Sequence, residues 1–242
     1  MFLTLGAIRA LERDSLQAIG RIGEFGEFGA LVNLAQNYRT ILAGPRGPIN
    51  LAFKAIMSLK FRGDTRAANT RRAVYVGALV EPAADGVQIA RSSYSLTVCN
   101  GERRRAPILR KLHFDYEPGH ERAAGECKPS MHIQVCGELM PLLIEEGYTT
   151  HDLRAWTPSL EKPRIPSMPT SLALVLNWLM LEFEGDPTAA RVLRNPEWKN
   201  LVTHAERTVL GPFFSSSAAF FAARGKNANV PFVQTQLYEM VG

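Results

Sequence analysis

The sequence contains few of the features that stabilise an exported protein or anchor it in a membrane. Cys99, Cys127 and Cys136 are its three cysteines; they form no C-x-x-C pair, and their spacing matches no common zinc pattern. The amino-terminus lacks the basic start and apolar core of a signal peptide, and the longest apolar run, near 172–183, is shorter than the ~20 residues that span a bilayer. These absences predict a cytoplasmic protein without a metal, a cofactor or a membrane partner.

Acidic residues are scarce in the first half of the chain. Residues 1–111 contain 17 Lys or Arg and 8 Asp or Glu, whereas residues 112–242 contain 11 and 15. Arginine accounts for 21 of the 28 basic residues, and its planar guanidinium suits phosphate and carboxylate. The basic first half indicates nucleic acid, an anionic ligand or an acidic partner. An arginine-rich proteome explains it equally well.

The first sub-region, 1–72, is predicted to be helical and basic. Apolar residues with helical spacing predict a helix over 4–20, with Glu12 on its outer face, and further helices over 30–43 and 49–60. The run G-E-F-G-E-F-G at 23–29 matches no phosphate-binding loop and is interpreted as a turn.

The second sub-region, 73–137, changes to the two-residue period of strands. Two turn signals, Asp85-Gly86 and Asn100-Gly101, separate these strands. Short connections between consecutive strands predict an antiparallel meander, which leaves one face for helices or a ligand.

The third sub-region, 138–242, is predicted to be mainly helical. A short helix is expected over 138–147, and four prolines predict an irregular stretch from 148 to 170. A buried helix follows, then one from Pro196 to about Leu210, which Gly211-Pro212 should end before a last aromatic helix. The aromatic residues, Trp198 among them, suit a core or a homo-oligomer interface. The chain as a whole, 1–242, is predicted to be a single α+β domain, with the meander flanked by amino-terminal helices and a carboxy-terminal helical bundle.

The candidate site lies in the last predicted hairpin. His113 and Asp115 share one face of their strand, and His132 and Gln134 share one face of the next. If the hairpin closes near 122–123, His113 falls opposite His132. Two imidazoles beside a carboxylate can act as acid and base, so His113, Asp115 and His132 are the candidate catalytic residues. The alternative is a sheet face that is only solvated or covered by a helix.

Arginines supply the candidate contacts to a ligand. Arg110 and Arg164 could clamp a phosphate beside Gln134. A second group is predicted to contact nucleic acid, although a solvated charged loop is the commoner outcome for such residues. This group comprises Arg62, Arg66, Arg71, Arg72, Arg103, Arg104 and Arg105.

Four short motifs follow one another between residues 111 and 215. They are H-F-D-Y-x-P at 113–118, H-x-Q at 132–134, P-R-I-P-x-x-P-x-S-L at 163–172 and P-x-W at 196–198. Their order resembles that of uncharacterised prokaryotic proteins encoded in toxin–antitoxin and anti-phage defence neighbourhoods. The resemblance implies a bacterial defence context and carries no catalytic assignment.

Two classes of function follow. The first is a cytoplasmic accessory component of such a system that binds nucleic acid, DNA or RNA, or a partner protein from the same operon. The second is a metal-independent phosphodiesterase or nuclease that uses His113 and His132, with Asp115 orienting one imidazole. A metal hydrolase with these three residues as ligands is a weaker third, because nothing identifies its water activator.

Overall fold

The computed structural model describes residues 3–28, 47–60, 71–116, 131–134, 139–149, 151–152, 164–166, 168 and 170–225. Six strands form one antiparallel sheet in chain order: β1 (Ile49–Ser58), β2 (Arg71–Pro82), β3 (Ile89–Cys99), β4 (Ile108–Tyr116), β5 (Met131–Gln134) and β6 (Arg164–Pro166). The helices are α1 (Leu5–Arg21), a 3₁₀ helix (Gly23–Phe28), α2 (Pro141–Glu145), α3 (Leu172–Glu182), α4 (Pro187–Arg194) and α5 (Pro196–Gly225). The predicted α+β class, with its antiparallel meander, is confirmed.

The strand β1 stands where the sequence predicts a third helix. That prediction over 49–60 is wrong, because Ile49–Ser58 pair with β2 along the whole strand. Ile49, Leu51 and Phe53 are buried while Asn50 and Ala52 are exposed, which is the alternation of a strand. Apolar residues at this density satisfy either period, so pairing with a distant strand decides the outcome. The helix predicted over 30–43 lies outside the described residues.

One face of the sheet carries the main hydrophobic core. Leu51, Val76 and Leu96 of the first three strands belong to one buried cluster, together with residues of α1, α3, α4 and α5. Trp198 of α5 is 1% exposed, and its ring meets Phe25 edge-on at 5.2 Å between centroids. The core placement predicted for this tryptophan is therefore correct. The helices α1, α3, α4 and α5 cover this face of the sheet, and the other face carries polar residues and a second, smaller core.

The carboxy-terminal helices begin at polar caps. Ser171 accepts a hydrogen bond from the Leu174 amide, and Asp186 accepts bonds from the amides of Thr188 and Ala189 at 2.8 and 3.2 Å. The break predicted at Gly211-Pro212 is wrong, because α5 runs through Pro212 to Gly225. A proline removes one hydrogen bond from a helix, and the turns on both sides of Pro212 continue this one.

The register between β4 and β5 differs by two residues from the predicted one. Asp115 lies opposite His132, and His113 lies opposite Gln134, so the predicted pairing of His113 with His132 is wrong. A shift of two keeps every side chain on its predicted face. Inside the stretch predicted to be irregular, Pro166 pairs with His132 and Arg164 with Gln134 in the short strand β6.

Candidate functional site on the polar face of the sheet

Polar side chains share the face of the sheet that the main core leaves uncovered. The register aligns them in rows that run across the strands, because residues directly opposite each other point to the same side. The rows are Thr97 and Lys111; Ser95, His113, Gln134 and Arg164; and Ser93, Asp115 and His132. The strands therefore bring the predicted catalytic residues and Gln134 together on one face. The side chain of Arg164 lies outside the described part of the structure.

Asp115 and His132 form the best-defined contact of this face. The Ser93 hydroxyl donates a hydrogen bond of 2.5 Å to Asp115 Oδ1, and Asp115 Oδ2 lies 3.6 Å from His132 Nε2. That second distance is longer than a hydrogen bond. The His132 side chain is 1% exposed and that of Asp115 is 13% exposed. A carboxylate held by a serine thus lies against a histidine that bulk water does not reach.

His113 is half-buried in the next row of this face. Its Nε2 is enclosed, and no described group forms a hydrogen bond with it. Burial, with smaller electrostatic contributions from Lys111 and His132, lowers the pKa of His113 from 6.5 to about 3. The imidazole is therefore neutral at physiological pH. It can donate or accept a hydrogen bond, but it is not a general acid there.

Several polar members of this face are absent from the sequence predictions. Lys111 and Thr97 are fully buried, and Ser93 and Ser95 lie beside Asp115 and His113. The signal was present, because Ser93, Ser95 and Thr97 alternate along β3, just as Lys111, His113 and Asp115 alternate along β4. A lysine between apolar neighbours is usually exposed, so its burial follows only from the packing.

The segment around α2 covers part of the polar face. Met140, Leu143 and Tyr148 pack with Tyr75 and Cys99 in a second, smaller core. The Tyr148 hydroxyl donates to the Ala106 carbonyl oxygen at 3.0 Å, which ties the segment to the turn after β3.

Gly77 makes close packing possible beneath this segment. A Cβ at this position would lie 2.7 Å from Ser95 Oγ and 3.0 Å from Met140 Cε. The row that contains His113 therefore continues into a tightly packed region.

Arg110 does not reach the histidines. It alternates with Lys111 and His113, so it points to the helical side of the sheet, where its Nε lies 3.0 Å from Glu182 Oε1 of α3. This placement does not support the predicted phosphate clamp, which needs Arg110 beside Gln134. The prediction for Arg164 remains a prediction.

The arginines predicted to contact nucleic acid are mostly engaged within the protein. Arg72 is buried and donates to the Leu59 carbonyl and to Asn100. Arg71 pairs with Glu102 at 2.9 Å, and Arg105 lies 3.6 Å from Asp152.

The remaining arginines of this group form no described ion pair of this kind. Arg104 donates to the Glu145 and Glu146 carbonyls at the end of α2, a favourable place for a cation. Arg103 is exposed in the turn between β3 and β4. Arg62 and Arg66 lie outside the described residues.

The described residues contain no group of three or more His, Cys, Asp or Glu side chains that could hold a metal ion. None of the described helices combines the length and apolar character needed to cross a membrane. No family model, curated protein or solved structure matched the chain.

Proposed function

We propose that the protein acts by binding rather than by catalysis, as a cytoplasmic accessory component of a bacterial defence or toxin–antitoxin type system. The observation that supports this most is the burial of His132, together with the enclosed Nε2 atom of the half-buried His113. His132 has no exposed surface, and the low pKa of His113, about 3, leaves it neutral at physiological pH. An acid–base pair needs a protonatable group within reach of the substrate. The system itself is proposed from the motif resemblance alone.

A partner protein is the binding target that we favour over nucleic acid. Phosphate binding requires cations that are available to the backbone of the nucleic acid. Four described surface arginines, Arg21, Arg71, Arg91 and Arg105, form ion pairs, and their partners are Glu197, Glu102, Glu81 and Asp152. Paired arginines contribute less to an anionic ligand, because a new contact must replace an existing one.

Co-expression with each protein encoded beside this chain tests the proposal. Native mass spectrometry should detect a complex of defined stoichiometry that persists at about 200 mM salt. Fluorescence anisotropy with RNA and DNA oligonucleotides at about 50 and 200 mM salt tests nucleic acid as the target, because binding through phosphates weakens steeply over that range. Salt-sensitive binding of an oligonucleotide, without any protein complex, would contradict the choice of partner.

A phosphodiesterase is the second candidate, and the arrangement of Ser93, Asp115 and His132 favours it. A carboxylate that is held in place can orient an imidazole, as in catalytic triads. In this scheme His132 is the base, and neutral His113 offers only a hydrogen bond. Substrate access then requires a change in the packing that buries His132.

Hydrolysis of RNA, DNA and cyclic nucleotides should be compared between wild type and His132→Gln. His204→Gln, a change at an exposed position of α5, is the matched control. Activity that disappears only in His132→Gln would support the enzyme, whereas an inert wild type would exclude hydrolysis of these substrates.

A further inference from the structure

The strand β1 forms one edge of the sheet and β6 forms the other, because the six strands follow one another in chain order. All ten residues of β1 pair with β2. On the opposite side of β1, no group in the described part of the chain forms a main-chain hydrogen bond with Ile49–Met57. Such an edge presents a row of N–H and C=O groups with which another strand can pair.

The two edges differ in their protection against further pairing. Natural sheets protect an edge by a short strand, charged residues, a proline or a β-bulge. The strand β6 is three residues long and contains Arg164 and Pro166. The strand β1 is ten residues long, contains no proline, and pairs with β2 without a bulge. Lys54 is its one charged residue, so β1 has the features of an edge that accepts another strand.

The burial pattern of β1 shows which of its main-chain groups face outwards. Alternate residues of a strand direct their N–H and C=O groups to opposite sides. Ile49 and Met57 are 0% exposed and Ala55 is 1% exposed, main chain included, whereas Asn50 and Ala52 are exposed. The odd-numbered residues therefore direct these groups towards β2, and the even-numbered residues direct theirs away from the sheet. An added strand would bind to the even-numbered residues.

The charge on this edge favours a second copy of the chain over a strongly charged partner. Lys54 Nζ lies 2.9 Å from Glu146 Oε1, so the one cation of β1 is neutralised within the chain. The whole chain has a net charge of +5, and two copies repel each other wherever that charge is uncompensated. At β1 two copies can approach without this repulsion, and a charged strand finds no free opposite charge on β1.

The sequence of β1 is self-complementary in an antiparallel register centred on Phe53. Two identical strands that pair in this way are related by a two-fold axis, so the same residues meet from both sides. With the axis at Phe53, Ala52 lies opposite Lys54 of the second copy. With the axis at Lys54, the two lysines would lie opposite each other, which is destabilising. In the first register the residues on the core face are apolar on both strands: Ile49 lies opposite Met57, Leu51 opposite Ala55, and Phe53 opposite Phe53.

We infer that β1 pairs in an antiparallel manner with β1 of a second copy of the chain, with the two-fold axis at Phe53. The dimer joins two six-stranded sheets into one, and the helices of both copies lie on the same face because the odd-numbered residues stay on the core side. The dimer does not depend on the proposed function. It should form from the purified chain alone, whereas the proposed complex requires a protein encoded beside it, so either can fail without the other.

Sedimentation velocity of the purified full chain, between micromolar and submillimolar concentrations, should show a reversible dimer of twice the 26.8 kDa mass of the chain. Ala52→Pro removes an outward N–H group but no bond to β2, and proline is tolerated on an edge strand, so we expect the dissociation constant to rise about tenfold or more. Ala52→Ser is the matched control, because it keeps the N–H group, and should dimerise as the wild type does. Circular dichroism verifies the fold of each variant.

Three results would contradict the inference. A wild-type chain that stays monomeric over this range of concentrations would overturn it. Unchanged dimerisation of folded Ala52→Pro would place the interface elsewhere and overturn the assignment to β1. A monomeric wild type whose complex with a protein encoded beside it is lost in Ala52→Pro would assign the edge to a strand of that protein and overturn the self-pairing.

Charges at position 52 test the register. Ala52→Lys places a lysine opposite Lys54 of the second copy, and Ala52→Glu places a carboxylate there. Since each pair occurs twice in the dimer, the dissociation constant of Ala52→Lys should exceed that of Ala52→Glu about tenfold or more. Val87→Lys, at a 58% exposed position in the turn between β2 and β3, adds the same charge away from the edge and should dimerise as the wild type does. Equal dissociation constants for Ala52→Lys and Ala52→Glu would overturn the register.

Discussion

Glu12 offers a direct test of how α1 is held against the sheet and α3. Its side chain is fully buried, although the helical pattern predicts it on the outer face of α1. It accepts hydrogen bonds from the Tyr94 hydroxyl at 2.6 Å and from the Leu172 amide, at the start of α3, at 3.1 Å. Burial raises the pKa of Glu12 and these two bonds oppose that rise, so that the net change is from 4.5 to about 7.

The raised pKa makes Glu12 a source of pH-dependent stability. Between pH 4.5 and 7 the native state retains a proton that the unfolded chain releases, so the free energy of unfolding falls as the pH rises. The contribution is complete below pH 4.5 and lost above pH 7. One pKa unit corresponds to about 1.36 kcal/mol, so the shift from 4.5 to about 7 corresponds to about 3 kcal/mol.

Glu12→Gln keeps the shape of the side chain and removes its titration. Urea unfolding, followed by circular dichroism at several pH values from 4.5 to 7.5, gives the free energy of unfolding of both proteins. The wild-type value minus the variant value should fall by about 3 kcal/mol across this range. A difference that stays constant would show that Glu12 has the same pKa in both states, and one that grows with pH would show that its native pKa is lowered; either result refutes the reasoning.

Three further substitutions test the polar face, the packing of the segment around α2 against it, and a helix cap. The wild type should lose stability on acidification from pH 6.5 towards 3, because His113 binds a proton in the unfolded chain but stays neutral in the native state. His113→Asn should abolish this loss, which urea unfolding at each pH measures. A shift of even one pKa unit corresponds to about 1.4 kcal/mol in the free energy of unfolding. Gly77→Ala should cost about 1–3 kcal/mol in urea unfolding, since its Cβ would meet Ser95 and Met140, and an unchanged midpoint would contradict that packing. Asp186→Ala should lower the stability by about 1 kcal/mol, whereas Asp186→Asn should retain most of it.

The parts of the fold that follow from local sequence could be predicted. Asp85-Gly86 and Asn100-Gly101 mark the turns of the meander, and the alternation along 73–99 identifies its strands. Asp186 and Pro187 mark the start of a helix in the same way. In each case the signal and the structure that it produces lie within a few residues of each other.

The features that the sequence predicted wrongly depend on distant partners. Residues 49–58 are a strand because β2 is available to pair with them, and nothing within the segment excludes a helix. Glu12 is buried because Tyr94 and the start of α3 supply its hydrogen bonds, 82 and 160 residues away. Arg110 is the exception: the local alternation along β4 is enough to place it on the other face of the sheet from His113.

The sequence could predict which candidate residues share a face of the sheet, but not how they are arranged on it. A period of two places His113 with Asp115 and His132 with Gln134, whichever even register the strands adopt. The period cannot say which of these residues lie opposite each other, or that His132 and the Nε2 atom of His113 are buried. Those two facts decide between a catalytic pair and a buried polar network, and they depend on how strands distant in sequence pair and pack.

Glu12 and His113 should have opposite effects on how stability varies with pH. Acidification below pH 7 strengthens the contribution of Glu12, and acidification below pH 6.5 weakens that of His113, so the two slopes offset each other between pH 4.5 and 6.5. A flat wild-type profile over that interval would therefore be no evidence that either group has an ordinary pKa. Glu12→Gln should make stability rise with pH, and His113→Asn should make it fall. The two residues face opposite sides of the sheet and share no described partner, so a double variant should combine their effects almost additively.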